Sequence, residues 1–218
     1  MRILICAGHT TSGKGTGAVG YINESNENRV LSKKVVEYLK SAGHTVDYYE
    51  INKAHDYLQK QVSAANSKVY DLVVQIHFNA NKTTDSIMGT ETLYSSNRGK
   101  VYAEKVTNKL SILYKQRGAK LRTDLYWLNK TTAPAILIET CFVDSKGDTN
   151  IYNLNKDKTA QLIAEGVNGS EIKTTANTNT NGTKWAVCVG AWENKATADA
   201  KVQELKNKGY KDTYIIPR

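Results

Sequence analysis

The stretch "RILICAGHTTSGKG", residues 2–15, decides how the rest of the chain is read. It opens on an apolar run, Arg2 to Ala7, with the length of a buried strand, and passes at once into a glycine-rich loop. The loop nearly spells a phosphate cradle: a glycine, four residues, then Gly-Lys. Such a cradle needs Ser or Thr after the lysine to reach a magnesium ion, and a helix opening there so that its N-terminal amides face the phosphates. Gly15 follows Lys14 instead, and the next stretch, "TGAVGYINES", holds Gly17 and Gly20 and shows no helical period. The phosphate reading therefore fails. What remains is a strand ending in Gly8-His9 at its carboxyl end, where open α/β sheets place their chemistry.

Outward from that strand, helix and strand patterns alternate. "NRVLSKKVVEYLKSAG" places Val30, Leu31, Val35, Val36 and Leu39 near helical spacing and ends in Gly43. "HTVDYYEI" reads as the next strand, "AHDYLQKQVSAANSK" as a polar helix, and "YDLVVQIHFNA" as an apolar strand. After "GTETLYSS" the spacing predicts a helix over "GKVYAEKVTNKLSILYKQRG", then a turn region leading into the strand "APAILIETCFV", and a closing helix over residues 156–167. Near-continuous Val, Ile and Leu in strands that alternate with helices predict an α/β fold: a mostly parallel, twisted sheet covered by helices on both faces.

The composition changes at residue 170. "SEIKTTANTNTNGTK" is rich in Thr and Asn and reads as a linker over residues 170–183. Beyond it, "KWAVCVGAW" is a strand, "NKATADAKVQELKNKG" a helix with Asn194 as N-cap and Gly209 just past its end, and "TYIIP" another strand. The expected organisation is thus a first domain over 1–169, the linker, and a small βαβ-type unit over 184–218, which is too small to bury a core alone.

A chain of 218 residues, 40% of them hydrophobic, is long enough for one good core plus an appendage. No run approaches the roughly 18 apolar residues of a membrane span, and Met1 leads straight into a strand without the basic and apolar segments of an export signal. The expectation is a soluble protein of the producing cell's cytoplasm, with no membrane insertion. Cys6, Cys141 and Cys188 are odd in number, lie in apolar runs and show no CxxC spacing, so they read as buried free thiols. The net charge of +9 suggests a polyanionic partner: nucleic acid, a membrane surface, or a cell wall carrying acidic polymers. No nucleic-acid motif is present and the lysines are spread along the chain, so nucleic acid is not expected as a partner.

Polar residues interrupt this apolar framework at the strand ends. His9 follows the first strand, His77 lies inside "VVQIHFNA", Glu139 lies inside "AILIETCFV", and Glu24 sits in the glycine-rich loop region before the first helix. A histidine or glutamate in an apolar strand is costly to bury without a metal or a hydrogen-bond network around it. Two imidazoles and one carboxylate form the usual donor set of catalytic zinc, and a further carboxylate nearby can act as general base. Each residue alone also has a plainer reading. His9 could make a turn hydrogen bond, His77 could be a satisfied core imidazole, and Glu24 could be a charge favoured by the helix dipole. Together they favour a site, because all four fall at or near one edge of the sheet.

In order along residues 1 to about 168, "AGHT", "ESNEN", "QIHFNA" and "APAILIETCFVD" resemble the zinc-dependent N-acetylmuramoyl-L-alanine amidases of bacterial autolysins and clostridial phage endolysins. The resemblance implies Zn²⁺ as cofactor, His9, Glu24 and His77 as its ligands, and Glu139 as the catalytic residue. It favours Glu24 over the nearby Glu27, because Asn28, four residues on, matches the family's asparagine. Two departures stand out: Gln75 replaces a small residue two positions before the histidine, and Cys141 replaces a common glycine. The implied activity is hydrolysis of the amide between N-acetylmuramic acid and L-alanine in peptidoglycan. Asn79, beside His77, is a candidate substrate contact, though an Asn at a strand end also suits a turn. An endolysin released through a membrane pore, or an autolysin acting from the mother cell during sporulation, fits the absence of an export signal.

The core of the C-terminal unit, "VGAWENKATADAKVQELKNKGY", resembles one half of a SPOR-type glycan-binding repeat. A half repeat would bury its apolar face by pairing with a second copy, giving a homodimer. Trp185, Trp192 and Tyr210 could stack on sugar rings. Two other functions remain compatible with the sequence: a zinc peptidase cutting within the stem peptide, and a wall-binding protein without catalysis, which a missing Glu139 or histidine would have favoured.

Overall fold

A computed structural model of the 218-residue chain describes residues 1–173 and 194–207. The chain divides into two compact units, Met1–Thr175 and Ala176–Arg218. The first holds six strands: β1 (Arg2–Ala7), β2 (Thr45–Tyr49), β3 (Leu72–Asn79), β4 (Thr90–Tyr94), β5 (Gln116–Leu121) and β6 (Ala135–Phe142). They form one sheet in the order β2-β1-β3-β6-β4-β5. All neighbours run parallel except β4 against β6. The interleaved helices are α1 (Glu24–Ser41), α2 (Tyr57–Asn66), α3 (Asn97–Leu110), α4 (Tyr126–Lys130), α5 (Lys146–Leu154) and α6 (Lys156–Asn168).

The expected sheet, mostly parallel and covered on both faces, is what the residues build. Alternate side chains of each strand go to opposite faces. Ile3, Ile5, Val74, Ile76, Ile136 and Ile138 pack on one face with Leu31, Val35 and Leu39 of α1, Val106 and Leu110 of α3, and Leu162 and Ile163 of α6. Leu4, Cys6, Val73, Leu93 and Leu137 pack on the other face with Val62 and Ala65 of α2 and Trp127 and Leu128 of α4. Cys6 and Cys141 are buried and free, as their apolar settings suggested.

Three local expectations need correction. The first helix begins at Glu24, because the Asn23 side chain caps it by accepting a hydrogen bond from the Asn26 amide at 3.0 Å. Glu24 is therefore the first residue of α1 and not a loop residue. The helix expected to run to Gly118 stops at Leu110, and residues 116–121 form strand β5. Ile112, Leu113 and Tyr114 prolong the apolar spacing past the helix end, while "QRGAKL" is polar because β5 is an edge strand. Helices α4 and α5, in stretches read as turn or left unassigned, are short segments of five and nine residues.

In the second unit the described residues form α7 (Lys195–Asn207). Asn194 caps it as expected, its Oδ1 accepting from the Ala196 amide at 2.7 Å. The strands expected at 184–192 and 213–217, most of the linker, Cys188, Trp185, Trp192, Gly209 and Tyr210 lie outside the described residues. Among the described residues, no helix is long and apolar enough to cross a membrane.

Candidate metal centre

The end of β1 sets the first donor. The Gly8 amide continues the β1–β3 ladder by donating to the Ile76 carbonyl at 3.0 Å, and the chain then turns through His9 at φ 63°. That left-handed conformation is uncommon for a residue with a side chain. Helix α1 holds it. Asn28 Nδ2 donates to the Gly8 carbonyl at 3.2 Å and Arg29 Nη2 to the His9 carbonyl at 3.1 Å. The imidazole is oriented by Nδ1, which lies 3.0 Å from the Gly15 carbonyl. A carbonyl only accepts, so Nδ1 carries a proton and Nε2 is left to face the site.

His9 Nε2 faces Glu24. Glu24 Oε1 lies 3.1 Å from His9 Nε2 and 2.9 Å from His77 Nδ1. The same oxygen accepts from the Phe78 amide at 3.1 Å, while Oε2 accepts from the Ala18 amide at 2.8 Å. Glu24 is only 3% exposed, and burial alone would raise its pKa. The hydrogen bonds with His77 and His9 outweigh burial and hold the carboxyl far below the usual carboxylate range. Burial is also the main cause of the lowered pKa of His77, which keeps its imidazole neutral. A metal requires an ionised carboxylate and neutral imidazoles, and Glu24 and His77 are held in those states.

The close approach of these groups depends on two glycines. A Cβ at Gly8 would lie 2.4 Å from the His77 ring, and one at Gly17 would lie 2.8 Å from Glu24 Oε2 and 2.9 Å from His9 Cδ2. The two rings stand edge to face with centroids 4.7 Å apart. One ligand atom from each of His9, Glu24 and His77 lies within 4.8 Å of the other two. Donors bound at about 2.0–2.2 Å to a tetrahedral zinc sit about 3.4 Å from one another, so small side-chain adjustments would close the set around an ion. The residues present therefore fit the group. Glu27, the neighbouring carboxylate, is turned elsewhere: it accepts from Tyr152 Oη at 2.9 Å and from Lys156 Nζ at 2.7 and 2.8 Å.

Glu139 enters from the adjacent strand. It is the register partner of His77 on β3 and of Glu91 on β4, so the three side chains share the α2/α4 face of the sheet. Burial, then the negative charges of Glu24 and Glu91, push the Glu139 carboxyl up to about 8. Its Oε2 is buried and has no hydrogen-bond partner among the described residues. Glu91 is treated oppositely. Burial would raise its pKa, but Lys120 Nζ at 2.5 Å and Arg117 Nε at 2.7 Å outweigh burial and lower it. Asn79, half-buried at the end of β3, donates to Glu91 Oε1 at 3.3 Å.

The N-acetylmuramoyl-L-alanine amidase family, Amidase_3, matches residues 3–169. The chain belongs to the Amidase_3 family. An uncharacterized protein of Clostridium perfringens is 35% identical over 184 residues, covering 79% of this chain and 53% of the relative. The N-acetylmuramoyl-L-alanine amidase LytC of Bacillus subtilis is 30% identical over 172 residues, covering 75% of this chain and 34% of the relative. Among solved structures, the catalytic domain of the CD27L endolysin targeting Clostridia difficile superposes with a TM-score of 0.73 at 35% identity, covering 79% of this chain and 99% of that one. The chain spans about half the length of the Clostridium perfringens protein and a third of LytC.

The sequence-derived site residues of this Amidase_3 chain fall into one place. His9, Glu24 and His77 converge within hydrogen-bond distance, Glu139 sits beside His77 across one strand pair, and Asn79 closes the rim through Glu91. Sequence reasoning missed Glu91, Arg117 and Lys120. A signal for Glu91 was available in "GTETLYSS", where a glutamate alternates with Leu93 toward the same buried face. Arg117 and Lys120 gave none, because their strand was read as the tail of a helix.

Proposed function

We propose that this chain hydrolyses the amide joining N-acetylmuramic acid to L-alanine in peptidoglycan, using zinc held by His9, Glu24 and His77 and the carboxylate of Glu139. The convergence of two imidazole nitrogens on one Glu24 oxygen, with an unpaired carboxyl on the next strand, carries this reading. Family membership supplies the substrate class. Bound zinc supplies the positive charge that polarises a scissile carbonyl and eases loss of a proton from water near neutral pH.

The protein groups then have distinct tasks. Glu24 remains ionised and, with the two neutral imidazoles, gives the ion a site that retains net positive charge. Glu139, whose carboxyl is raised by burial and by the fields of Glu24 and Glu91, becomes easier to ionise once a cation lies beside it. It takes the proton of the attacking water and returns it to the departing amine of L-alanine, as a base whose pKa lies near the working pH does best. The second amide hydrogen of Asn79, left over from its bond to Glu91, serves as a substrate contact at the rim.

In this reading residues 1–169 form the catalytic domain. Residues 184–218 bring it to the wall as a SPOR-like unit and pair two copies, and the biological setting is wall lysis by an endolysin or a sporulation autolysin. Mass spectrometry of the soluble products from purified cell walls tests the reaction. Glycan strands free of peptide, together with peptides bearing a new alanine N-terminus, are expected; both are lost on chelation and in Glu139→Gln. Muropeptides cut inside the stem would replace the amidase with a peptidase.

A further inference from the structure

Two cations, Arg117 and Lys120, converge on Glu91, beside a second buried carboxylate, Asp148, that also lies in the field of Arg117. The way Arg117 is held shows which of its nitrogens stay free. Its Nε donates to Glu91 Oε2 at 2.7 Å, and its Cζ lies 4.9 Å from the centroid of the Phe142 ring. These two contacts fix the guanidinium plane through one edge and one face. Among the described residues, the two terminal nitrogens of Arg117 have no hydrogen-bond partner. The side chain is 30% exposed and that of Lys120 is 43% exposed, so the pair opens to solvent.

A guanidinium fixed in plane with its outer nitrogens free is a fork, and forks select planar acceptors with two oxygens. The fork is one carboxylate away from the reactive centre, because the Glu91 that anchors it is the register partner of Glu139. Adjacent strands lie about 4.8 Å apart, so β5 is about 10 Å from β6, and a peptide residue spans at most about 3.5 Å. A group one or two residues beyond the scissile amide reaches that far.

We propose that Arg117, assisted by Lys120, is the subsite for a free carboxylate on the stem-peptide residue that follows L-alanine. The proposal rests on the amidase reading above and assigns the side of the cleft that holds the peptide: the leaving amine lies over Glu139 and the peptide runs across β4 toward β5. Arg117 is a binding residue in this scheme and takes no part in proton transfer. A carboxamide in place of the carboxylate would present one donor and one acceptor to two donors, and would lose both the charge and one hydrogen bond.

The test uses the full zinc-loaded chain and two peptides, L-alanyl-D-glutamate with its γ-carboxyl capped as a methylamide and the same peptide with its α-carboxylate also amidated, titrated by calorimetry. Binding of the acid is expected to be tighter than that of the amide by on the order of tenfold. Arg117→Gln should remove that preference, and Arg117→Lys, which keeps the charge and loses the fork, should retain only part of it. Equal affinity of the unsubstituted protein for acid and amide, or a full preference surviving in Arg117→Gln, overturns the proposal. Cleavage of a muramyl peptide that keeps the acidic residue after L-alanine is measured in parallel. Its absence in every variant would sink the amidase reading, while the acid-to-amide ratio still decides the fork.

Discussion

The two faces of the sheet are built from the same strands and have different fates. On the α1/α3/α6 face, Ile3, Ile5, Ile76, Ile136 and Ile138 are fully buried, and helices cover the strands to their carboxyl ends. On the α2/α4 face the same strands begin with Leu4, Val73 and Leu137 and then change to Gln75, His77 and Glu139, with Glu91 of the antiparallel β4 beside Glu139. A parallel sheet needs cover on both faces. Where the cover stops, strand residues turn polar, and the exposed carboxyl end of the sheet becomes the cleft. One register step therefore separates a core position from a chemical one, and Ile138 and Glu139 are neighbours that show it.

The largest expected effect is on that pair. Glu139→Gln should lower kcat/KM by about 10²- to 10⁴-fold, the usual contribution of a positioned base. Ile138→Val, one residue away on the other face, should leave kcat/KM within about twofold while costing about 0.5–1.5 kcal/mol of stability. Steady-state kinetics with denaturant melts of both variants would check this. Comparable activity in the two would mean that the faces are not divided as described.

The next largest effect compares Ile76 with His77. Ile76→Ala empties a fully buried position and should cost about 2–5 kcal/mol with or without metal. His77→Ala should instead remove the thermal stabilisation that zinc gives, which for an ion at 100 times its Kd is about 2.7 kcal/mol. Melting with zinc and with chelator distinguishes a core loss from a ligand loss.

A third effect depends on pH and is read in chelator. Glu139 ionises near 4.5 in the unfolded chain and near 8 when folded, so between those values the folded state holds the extra proton. Stability from this group must then fall as pH rises through that window. Glu139→Gln should be more stable than the unsubstituted protein at pH 7, by up to about 3 kcal/mol, with the gap closing near pH 4. Glu24 runs the other way: its folded pKa is depressed, so its contribution is present above its unfolded value and is lost as pH falls through the folded one. His77, kept neutral mainly by burial, favours folding as pH rises through 6.5. Both act in both proteins, so the difference between the two melts isolates Glu139.

These contrasts also explain what the sequence made legible. β3 and β6 could be read because apolar runs broken by one His or one Glu make the polar residue conspicuous, and β1 could be read from its abrupt end at Gly8-His9. Glu24 was found, though its place on α1 was not, because the Asn23 cap lies in a stretch whose glycines hide the helix start. β5 was invisible. "QRGAKL" carries charges and a glycine because an edge strand has one neighbour, and its meaning comes only from pairing with β4. Glu91 was missed for a related reason: register with Glu139, a long-range fact, turns a strand glutamate into part of the site.

The smallest effect concerns the boundary on the α2/α4 face, where Gln75 replaces the small residue expected from the resemblance. Its Nε2 donates to Gln61 Oε1 at 3.0 Å, and Gln61 Nε2 donates to the Ala7 carbonyl at 3.1 Å, just before the loop that carries His9. Both glutamines are buried, at 2% and 1% exposure. Gln75→Leu keeps the volume but leaves the Gln61 oxygen without its donor, at a cost of about 1–2 kcal/mol. Adding Gln61→Leu removes the stranded group, so the double variant should recover much of that loss, a positive coupling that denaturant melts can measure. If the losses simply add, the two amides act separately and α2 is joined to the sheet by packing alone. If they couple, a large side chain at position 75 is tolerated because Gln61 completes it, and the polar character of this face begins two residues before His77.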